Sequence, residues 1–256
     1  MTGRATVRLS YSDQGMGLPL VLLHGYPFDR SIWNDVTALL THQFRVIRPD
    51  LRGFGSSPVV EHSYRLEDMA ADVLRLMDDL ALDKVILAGH SMGGYIAFRF
   101  AEDYPERLLG LALVASFPLP DRPEQHARRL STAVAVRETG DISSVAEEMP
   151  GRVTNSPRVK KTLTELILMQ HPLGVAGALE AMANRPDSSA LLRSIQVPVL
   201  VLAGAADTLI PADHAREMAR LAPYSMLVTL PEAAHMPMLE DPQGTAAALN
   251  SLRGMI

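Results

Sequence analysis

Ser91 is the residue of this sequence that is best placed to act as a nucleophile. It lies in the stretch Gly89-His90-Ser91-Met92-Gly93, which fits the pattern G-x-S-x-G. The apolar run KVILA precedes the stretch, and the helix-like run YIAFRFAEDYP follows it. This context predicts a sharp turn from a strand into a helix, which presents the serine hydroxyl while the glycines let neighbouring backbone approach closely. Because a serine hydroxyl alone is a poor nucleophile, a base is also required, itself oriented by a carboxylate.

The candidate base and acid follow two later apolar runs. Asp207 ends the run VPVLVLAGAAD, and His235 ends the run SMLVTLPEAAH. Parallel strands deliver residues to the carboxyl edge of a sheet, where open α/β sheets bind ligands, and the chain order serine, aspartate, histidine accompanies the G-x-S-x-G turn. Asp50 and Asp213 remain rival acids. The histidines that lack a strand-end position are His42, His62, His126, His171 and His214.

Two backbone amides are candidates to stabilise the negatively charged oxygen of a tetrahedral intermediate. The N–H of Met92 would begin the helix after Ser91, where the helix dipole strengthens it as a donor. The second donor is expected from the loop His24-Gly25-Tyr26-Pro27. Pro27 has no N–H, so Tyr26 is the natural donor.

Six short apolar runs predict the sheet that positions these residues. Runs without polar alternation are typical of strands covered on both faces, and amphipathic helical patterns lie between several of them. The sequence therefore predicts an α/β fold with a doubly wound, mostly parallel sheet, and the opening segment predicts an antiparallel edge hairpin. The runs are residues 19–25, 44–50, 84–91, 108–117, 197–207 and 225–235.

The alternation of strand and helix stops between residues 118 and 190. Three helical patterns opened by proline or a capping residue occupy this stretch, at residues 123–138, 156–170 and 172–185. We interpret residues 118–190 as a helical lid inserted into a core domain formed by residues 1–117 and 191–256.

Charge and composition exclude several classes of partner and site. The 256 residues carry a net charge of −5 and no cysteine. Interspersed charges argue against nucleic-acid and anionic-membrane partners, and the lack of cysteine excludes disulfides and thiolate metal sites. The opening segment lacks the apolar region of a signal peptide, and no run approaches the ~18 residues of a membrane span. The sequence predicts a cytoplasmic monomer or homodimer.

With these motifs, the sequence resembles the α/β-hydrolase superfamily over essentially its full length. The sequence has an HG-x-P loop at residues 24–27, a D-x-R-G-x-G-x-S turn at 50–57, the G-x-S-x-G turn and a late A-x-H histidine. The resemblance implies Ser91 as nucleophile, His235 as general base and acid, Asp207 as orienting carboxylate, and the Tyr26 and Met92 amides as an oxyanion hole. The resemblance also implies that the reaction needs no metal and no organic cofactor.

Relatives that resemble haloalkane dehalogenases or epoxide hydrolases carry aspartate at the nucleophile position. Because this chain has Ser91 there, those activities are disfavoured. Among the serine members the sequence is similar to small bacterial carboxylesterases, and the resemblance implies hydrolysis of small to medium, mostly neutral esters through an acyl-enzyme. Other activities stay open: 3-oxoadipate enol-lactonase, carbon–carbon bond hydrolase of a degradation pathway, perhydrolase, or ligand sensing with slow turnover.

The predicted lid contains flexible apolar side chains and arginines that could contact a substrate. The residues predicted to bind substrate are Met149, Met169 and Met182 of the lid and Met236 beside His235. An inward arginine could bind a substrate carboxylate, but burying an unpaired guanidinium costs several kcal/mol, so we expect solvated arginines and a preference for neutral esters. The lid arginines in question are Arg128, Arg129, Arg137, Arg152 and Arg185.

Overall fold

The continuously apolar runs form the strands of one seven-stranded sheet, because strands covered by helices on both faces need apolar side chains on both. The fold is given by a computed structural model that describes residues 5–256. The strands are β1 (Tyr11–Gln14), β2 (Leu18–Leu23), β3 (Phe44–Pro49), β4 (Val85–His90), β5 (Leu108–Val114), β6 (Val199–Gly204) and β7 (Ser225–Leu230). Their order across the sheet is β1-β3-β2-β4-β5-β6-β7, and every neighbouring pair is parallel except β1 with β3. The predicted α/β fold with a mostly parallel sheet is confirmed.

Helices connect the strands and cover the sheet. Short 3₁₀ helices also form at Arg30–Trp33 and Pro105–Arg107. The helices are α1 (Asn34–Leu40), α2 (Leu66–Asp79), α3 (Met92–Asp103), α4 (Pro123–Thr139), α5 (Ser143–Val153), α6 (Pro157–Leu168), α7 (Pro172–Ala183), α8 (Ser189–Ser194), α9 (Ala212–Leu221), α10 (Pro237–Glu240) and α11 (Pro242–Arg253). No single helix among residues 5–256 is long and apolar enough to cross a membrane; α6 and α7 pass that test only as a pair, and they are bent by 106°.

The first strand occupies the antiparallel edge of the sheet, but it does not form the predicted hairpin. β1 pairs with β3, with Tyr11 opposite Pro49 and Gln14 opposite Val46. β2 pairs on both sides with parallel strands instead. Because β3 and β4 occupy both sides of β2, no side of β2 is left for β1 to pair with. Residues 1–4 of the opening segment lie outside the described residues.

The described chain between β5 and β6 forms five helices and no strand. Three of them coincide with the predicted helical patterns, whereas α5 and α8 were not predicted. α5 contains Pro150, which has no N–H to donate to the carbonyl of Ala146 one turn earlier. The hydroxyl of Thr164 on α6 donates to that carbonyl at 3.4 Å, which replaces part of the lost bonding. The division of the chain into a core domain and a lid stays a prediction.

Candidate active site

Ser91 stands at a strained turn between β4 and α3. Its backbone has φ 50° and ψ −111°, a conformation that L side chains rarely adopt, and such strain is concentrated at functional sites. Its N–H donates to the carbonyl of Val114 at 2.9 Å, and Ser116 Oγ donates to its carbonyl at 3.0 Å. A Cβ on Gly89 would lie 2.2 Å from the carbonyl oxygen of Gly93, so the close approach requires glycine. The turn holds the half-buried Ser91 side chain at the wall of a cavity.

Asp207 and His235 meet beyond the carboxyl ends of β6 and β7. His235 Nδ1 lies 2.8 Å from Asp207 Oδ2, and both side chains are buried. The other carboxylate oxygen of Asp207 accepts the N–H groups of Leu209 and Ile210 at 2.8 and 2.9 Å. Because the carboxylate is a pure acceptor, Nδ1 carries the proton of the neutral ring, which leaves Nε2 free to accept one.

The two rival acids lie elsewhere in the structure. Asp213 is on α9, with a largely exposed side chain paired to Arg216. Asp50 is buried after β3, where it accepts the backbone N–H groups of Arg30 and Ser56 at 2.9 Å each. These bonds fix the turn that follows β3. Neither carboxylate hydrogen-bonds His235 among residues 5–256.

Ser91 and His235 line the same cavity, but no hydrogen bond joins their side chains in the described residues. Catalytic hydrogen bonds are often long or poorly aligned without substrate and tighten in the complex.

The backbone around His235 is fixed from several sides. Its N–H donates to the carbonyl of Val153 at the end of α5 at 3.1 Å, and its carbonyl accepts from His90 Nε2 at 2.8 Å. The carboxylate of Glu240 accepts the neighbouring N–H groups of Ala234 and Met236 at 2.8 and 3.2 Å. These bonds restrict the position of the imidazole.

His90 is a positioning residue that the sequence could not reveal, since its partner lies 145 positions further along the chain. The ring is fully buried, and Nδ1 has no hydrogen-bond partner. Burial, followed by the neighbouring His235, holds the pKa of His90 well below its usual value, so the ring stays neutral.

The loop after β2 packs directly against His90. A Cβ on Gly25 would lie 2.4 Å from His90 Nδ1, so only glycine fits between them. His24 connects this loop to the turn after β3, because its Nε2 accepts the N–H of Leu51 and its Nδ1–H donates to the carbonyl of Gly25, both at 2.9 Å. Burial lowers the pKa of His24.

The amides of Tyr26 and Met92 make no hydrogen bond to a protein acceptor within residues 5–256. Met92 is the first residue of α3, where helical N–H groups have no partner inside the helix and the dipole favours negative charge. Both amides remain available as donors to a bound oxyanion.

The cavity has a volume of about 530 Å³ and reaches from Ser91 and His235 to α4, α5 and α7. Residues 145, 148, 149, 152 and 153 line it from one face of α5, as their helical spacing requires. The wall further includes Tyr26, Tyr95, Phe117, Leu179 and Ile210.

The four predicted methionine contacts divide into two groups. Met149 and Met182 line the cavity. The prediction for Met169 is wrong, because this residue directly follows α6, is 79 % exposed and does not line the cavity. The prediction for Met236 is also wrong, since its side chain is fully buried in the core instead of lining the cavity.

No group of three or more histidine, aspartate or glutamate side chains in residues 5–256 could hold a metal ion. The chain has no cysteine. The cavity and its border bring together the Ser91 hydroxyl, the imidazole–carboxylate pair of His235 and Asp207, and backbone amides.

Comparisons with known proteins point to one family. Residues 19–242 match the family model described as the alpha/beta hydrolase fold. The chain is 33 % identical over 241 residues to pimeloyl-[acyl-carrier protein] methyl ester esterase of Legionella pneumophila (strain Corby), covering 88 % of this chain and 90 % of the relative. It is also 33 % identical over 233 residues to a dihydrolipoyllysine-residue acetyltransferase component of the acetoin cleaving system of Pseudomonas putida, but spans only 60 % of that protein's length.

Two solved structures share the fold throughout. A thermophilic esterase from Thermogutta terrifontis superposes with a TM-score of 0.93 at 42 % identity, covering 96 % of this chain and 93 % of that one. The enol-lactonase from Burkholderia xenovorans LB400 superposes with a TM-score of 0.88 at 26 % identity, covering 96 % of each chain.

Proposed function

This chain belongs to the alpha/beta hydrolase fold family, and from that membership we propose that it hydrolyses carboxylic esters through an acyl-enzyme formed on Ser91. The observation that carries the proposal is the pairing of His235 Nδ1 with Asp207 Oδ2 at 2.8 Å, beside the cavity that Ser91 lines. That pairing leaves His235 Nε2 as the unprotonated nitrogen on the same cavity as the serine hydroxyl.

In the proposed reaction, Ser91 Oγ attacks the ester carbonyl while His235 Nε2 accepts the hydroxyl proton. The N–H groups of Tyr26 and Met92 stabilise the oxyanion of the tetrahedral intermediate. The protonated His235, stabilised by Asp207, gives its proton to the leaving alcohol as the carbon–oxygen bond breaks. Water, deprotonated by His235, then attacks the acyl-enzyme, and collapse of the second intermediate returns the proton to Ser91 and releases the carboxylic acid.

The fixed surroundings of Asp207 and His235 support this reaction. Asp207 already accepts two backbone N–H groups, and the His235 backbone is bonded to α5 and to His90. Catalytic groups held in place beforehand need little reorganisation when charge develops in the transition state.

Hydrolysis of p-nitrophenyl butyrate by the wild type and by Ser91→Ala tests the proposal. The substitution should lower kcat by about 10⁴–10⁶-fold, because the remaining groups give only transition-state binding without a nucleophile. Ser56→Ala is the matched control, since Ser56 is an exposed serine of the turn after β3 that does not line the cavity. Retention of a tenth of the wild-type rate by Ser91→Ala would contradict the assignment.

An enol-lactonase is the second candidate, supported by the fold and 26 % identity shared with the enol-lactonase from Burkholderia xenovorans LB400. The same residues would act on a lactone carbonyl. A panel of simple esters and enol-lactones, compared by kcat/KM, separates the two activities.

A further inference from the structure

Arg185 is a buried arginine that lies behind one wall of the cavity. Its side chain is only 3 % exposed, so the solvated position expected for this residue from the sequence is wrong. The guanidinium lies over two aromatic rings, 4.3 Å from the ring centroid of Tyr95 and 5.4 Å from that of Phe117. Both of these residues line the cavity, whereas Arg185 does not. The guanidinium therefore packs against this aromatic wall from outside the cavity.

Hydrogen bonds hold the guanidinium in place against the rings. Its Nε donates to the carbonyl of Leu119 at 3.1 Å, and its Nη1 donates to the carbonyl of Met182 at 2.9 Å and to Asp121 at 2.5 Å. Asp121 has a fully buried side chain that also pairs with Arg129 of α4 at 2.6 Å. The remaining nitrogen of Arg185, Nη2, is buried and has no hydrogen-bond partner among residues 5–256. The ring faces, which attract cations, thus help to stabilise the buried charge.

These bonds join three elements that border the cavity. Phe117 lies in the loop after β5, Tyr95 lies on α3, and Met182 lies on α7. The rings of Tyr95 and Phe117 meet edge to face, with their centroids 6.1 Å apart, so a movement of one ring requires a movement of the other. Loss of the Arg185 guanidinium would leave both rings without support on the side away from the cavity.

The aromatic wall begins one helical turn from the nucleophile. Tyr95 follows Ser91 by four residues, and its backbone N–H donates to the Ser91 carbonyl at 3.3 Å. Residues four apart lie on the same face of a helix, so the two side chains point to the same side of α3. Both residues accordingly line the cavity.

We propose that Arg185 is a positioning residue that fixes Tyr95 and Phe117 and thereby limits the length of the acyl group that the cavity accepts. The proposal rests on the proposed esterase function, in which the acyl group stays bonded to Ser91 while the alcohol leaves beside His235. A supported ring in a close-packed wall cannot move aside for a longer acyl chain. Without the guanidinium behind them, the rings can turn away from the acyl group and make room.

p-Nitrophenyl butyrate and p-nitrophenyl octanoate form a matched pair of substrates for the test, because they share the leaving group and differ only in acyl length. Arg185→Gln should raise the ratio of kcat/KM for the octanoate to kcat/KM for the butyrate by about 10-fold, the discrimination associated with about one methylene in a hydrophobic pocket. Arg185→Lys should raise the ratio less, since the charge beside Asp121 remains while the planar stacking over the rings is lost. A purely structural role would lower both values of kcat/KM equally and leave the ratio unchanged.

Arg99→Gln is the matched control, and Phe117→Ala tests whether Arg185 acts through the wall. Arg99 is a buried arginine on α3 that donates to Ser188 Oγ at 2.5 Å; it does not line the cavity, and it lies over no aromatic ring among residues 5–256. Its substitution should keep the wild-type ratio. Phe117→Ala removes one ring and should itself raise the ratio. Because one supported ring is then gone, Arg185→Gln should raise the ratio less in Phe117→Ala than in the wild type.

The failure of this role and the failure of the esterase function give different results. An unchanged or lower ratio in Arg185→Gln, or in Arg185→Lys where the glutamine variant does not fold, overturns the role of Arg185 and leaves the esterase function intact. An equal rise in Arg99→Gln, or an undiminished effect of Arg185→Gln in Phe117→Ala, overturns it too. A change confined to esters that differ in the alcohol, such as ethyl and octyl acetate, overturns the assignment to the acyl group. Absence of all ester cleavage by the wild type overturns both proposals.

Discussion

Acidification should destabilise this protein through two histidines that are buried in the neutral form. His24 Nε2 accepts the N–H of Leu51, so a second ring proton would point at a donor. His90 donates from Nε2 to the carbonyl of His235, and its Nδ1 faces Gly25 without an acceptor. Burial accordingly lowers the pKa of both rings. Protonation of either ring is therefore disfavoured in the folded protein.

The sign and size of the effect follow from proton linkage. Above about pH 6.5 neither the folded nor the unfolded chain protonates these rings, and they add nothing to the pH dependence. Below that pH the unfolded chain binds their protons while the folded chain does not, so stability falls as the pH falls. Each histidine contributes a slope of up to about 1.4 kcal/mol per pH unit, or about 2.7 kcal/mol for the two.

Other shifted groups act mainly at lower pH. Contacts with Arg137 and with Ser189 lower the pKa values of Glu180 and Asp187, whose stabilisation is therefore lost below their ordinary ranges near pH 4. Burial raises the pKa of Asp72, which opposes the histidines in a window that begins near 3.8. The range from about pH 5 to 6.5 therefore isolates the histidines best.

Urea unfolding at a series of pH values measures this slope. His90→Asn lowers stability overall, but it should also reduce the slope between about pH 5 and 6.5 by up to about 1.4 kcal/mol per pH unit. His62→Asn, which replaces an exposed histidine, should keep the wild-type slope. A free energy of unfolding that stays constant over this range, or an unchanged slope in His90→Asn, would contradict this prediction.

Two further substitutions test the site. Asp207→Asn should lower kcat by about 10⁴-fold, because an amide no longer holds His235 in its working tautomer, whereas Asp213→Asn should remain near the wild-type kcat; the reverse order would identify the wrong carboxylate. Gly25→Ala should lower the free energy of unfolding by about 1–3 kcal/mol in urea titrations, since its Cβ would lie 2.4 Å from the His90 ring, and an unchanged stability would show that the loop can move aside.

The strands were predictable from the sequence because each is a short apolar run that ends at a turn. β6, for example, lies inside the predicted run at residues 197–207. The edge pairing was only partly predictable, since the partner of β1 is β3 and lies some thirty residues away. α5 was missed because Pro150 interrupts the helical pattern, and its compensating bond from Thr164 exists only in the folded chain.

The candidate site was also only partly predictable from the sequence. The order of Ser91, Asp207 and His235 along the chain was visible, because strand ends define one edge of a parallel sheet. The hydrogen bond from His90 to the His235 backbone was not visible, since it depends on which groups surround the His90 side chain in the folded protein. Met169 shows the same limit, because only the folded chain shows that this residue, directly after α6, is exposed to solvent.

Covalent labelling with a serine-directed phosphonate tests directly whether Ser91 is the nucleophile. We expect inactivation with one adduct per chain, found by mass spectrometry of the proteolytic peptide that contains Ser91 and absent from Ser91→Ala. An adduct on Ser56 or Ser57, or inactivation that leaves the Ser91 peptide unmodified, would contradict it.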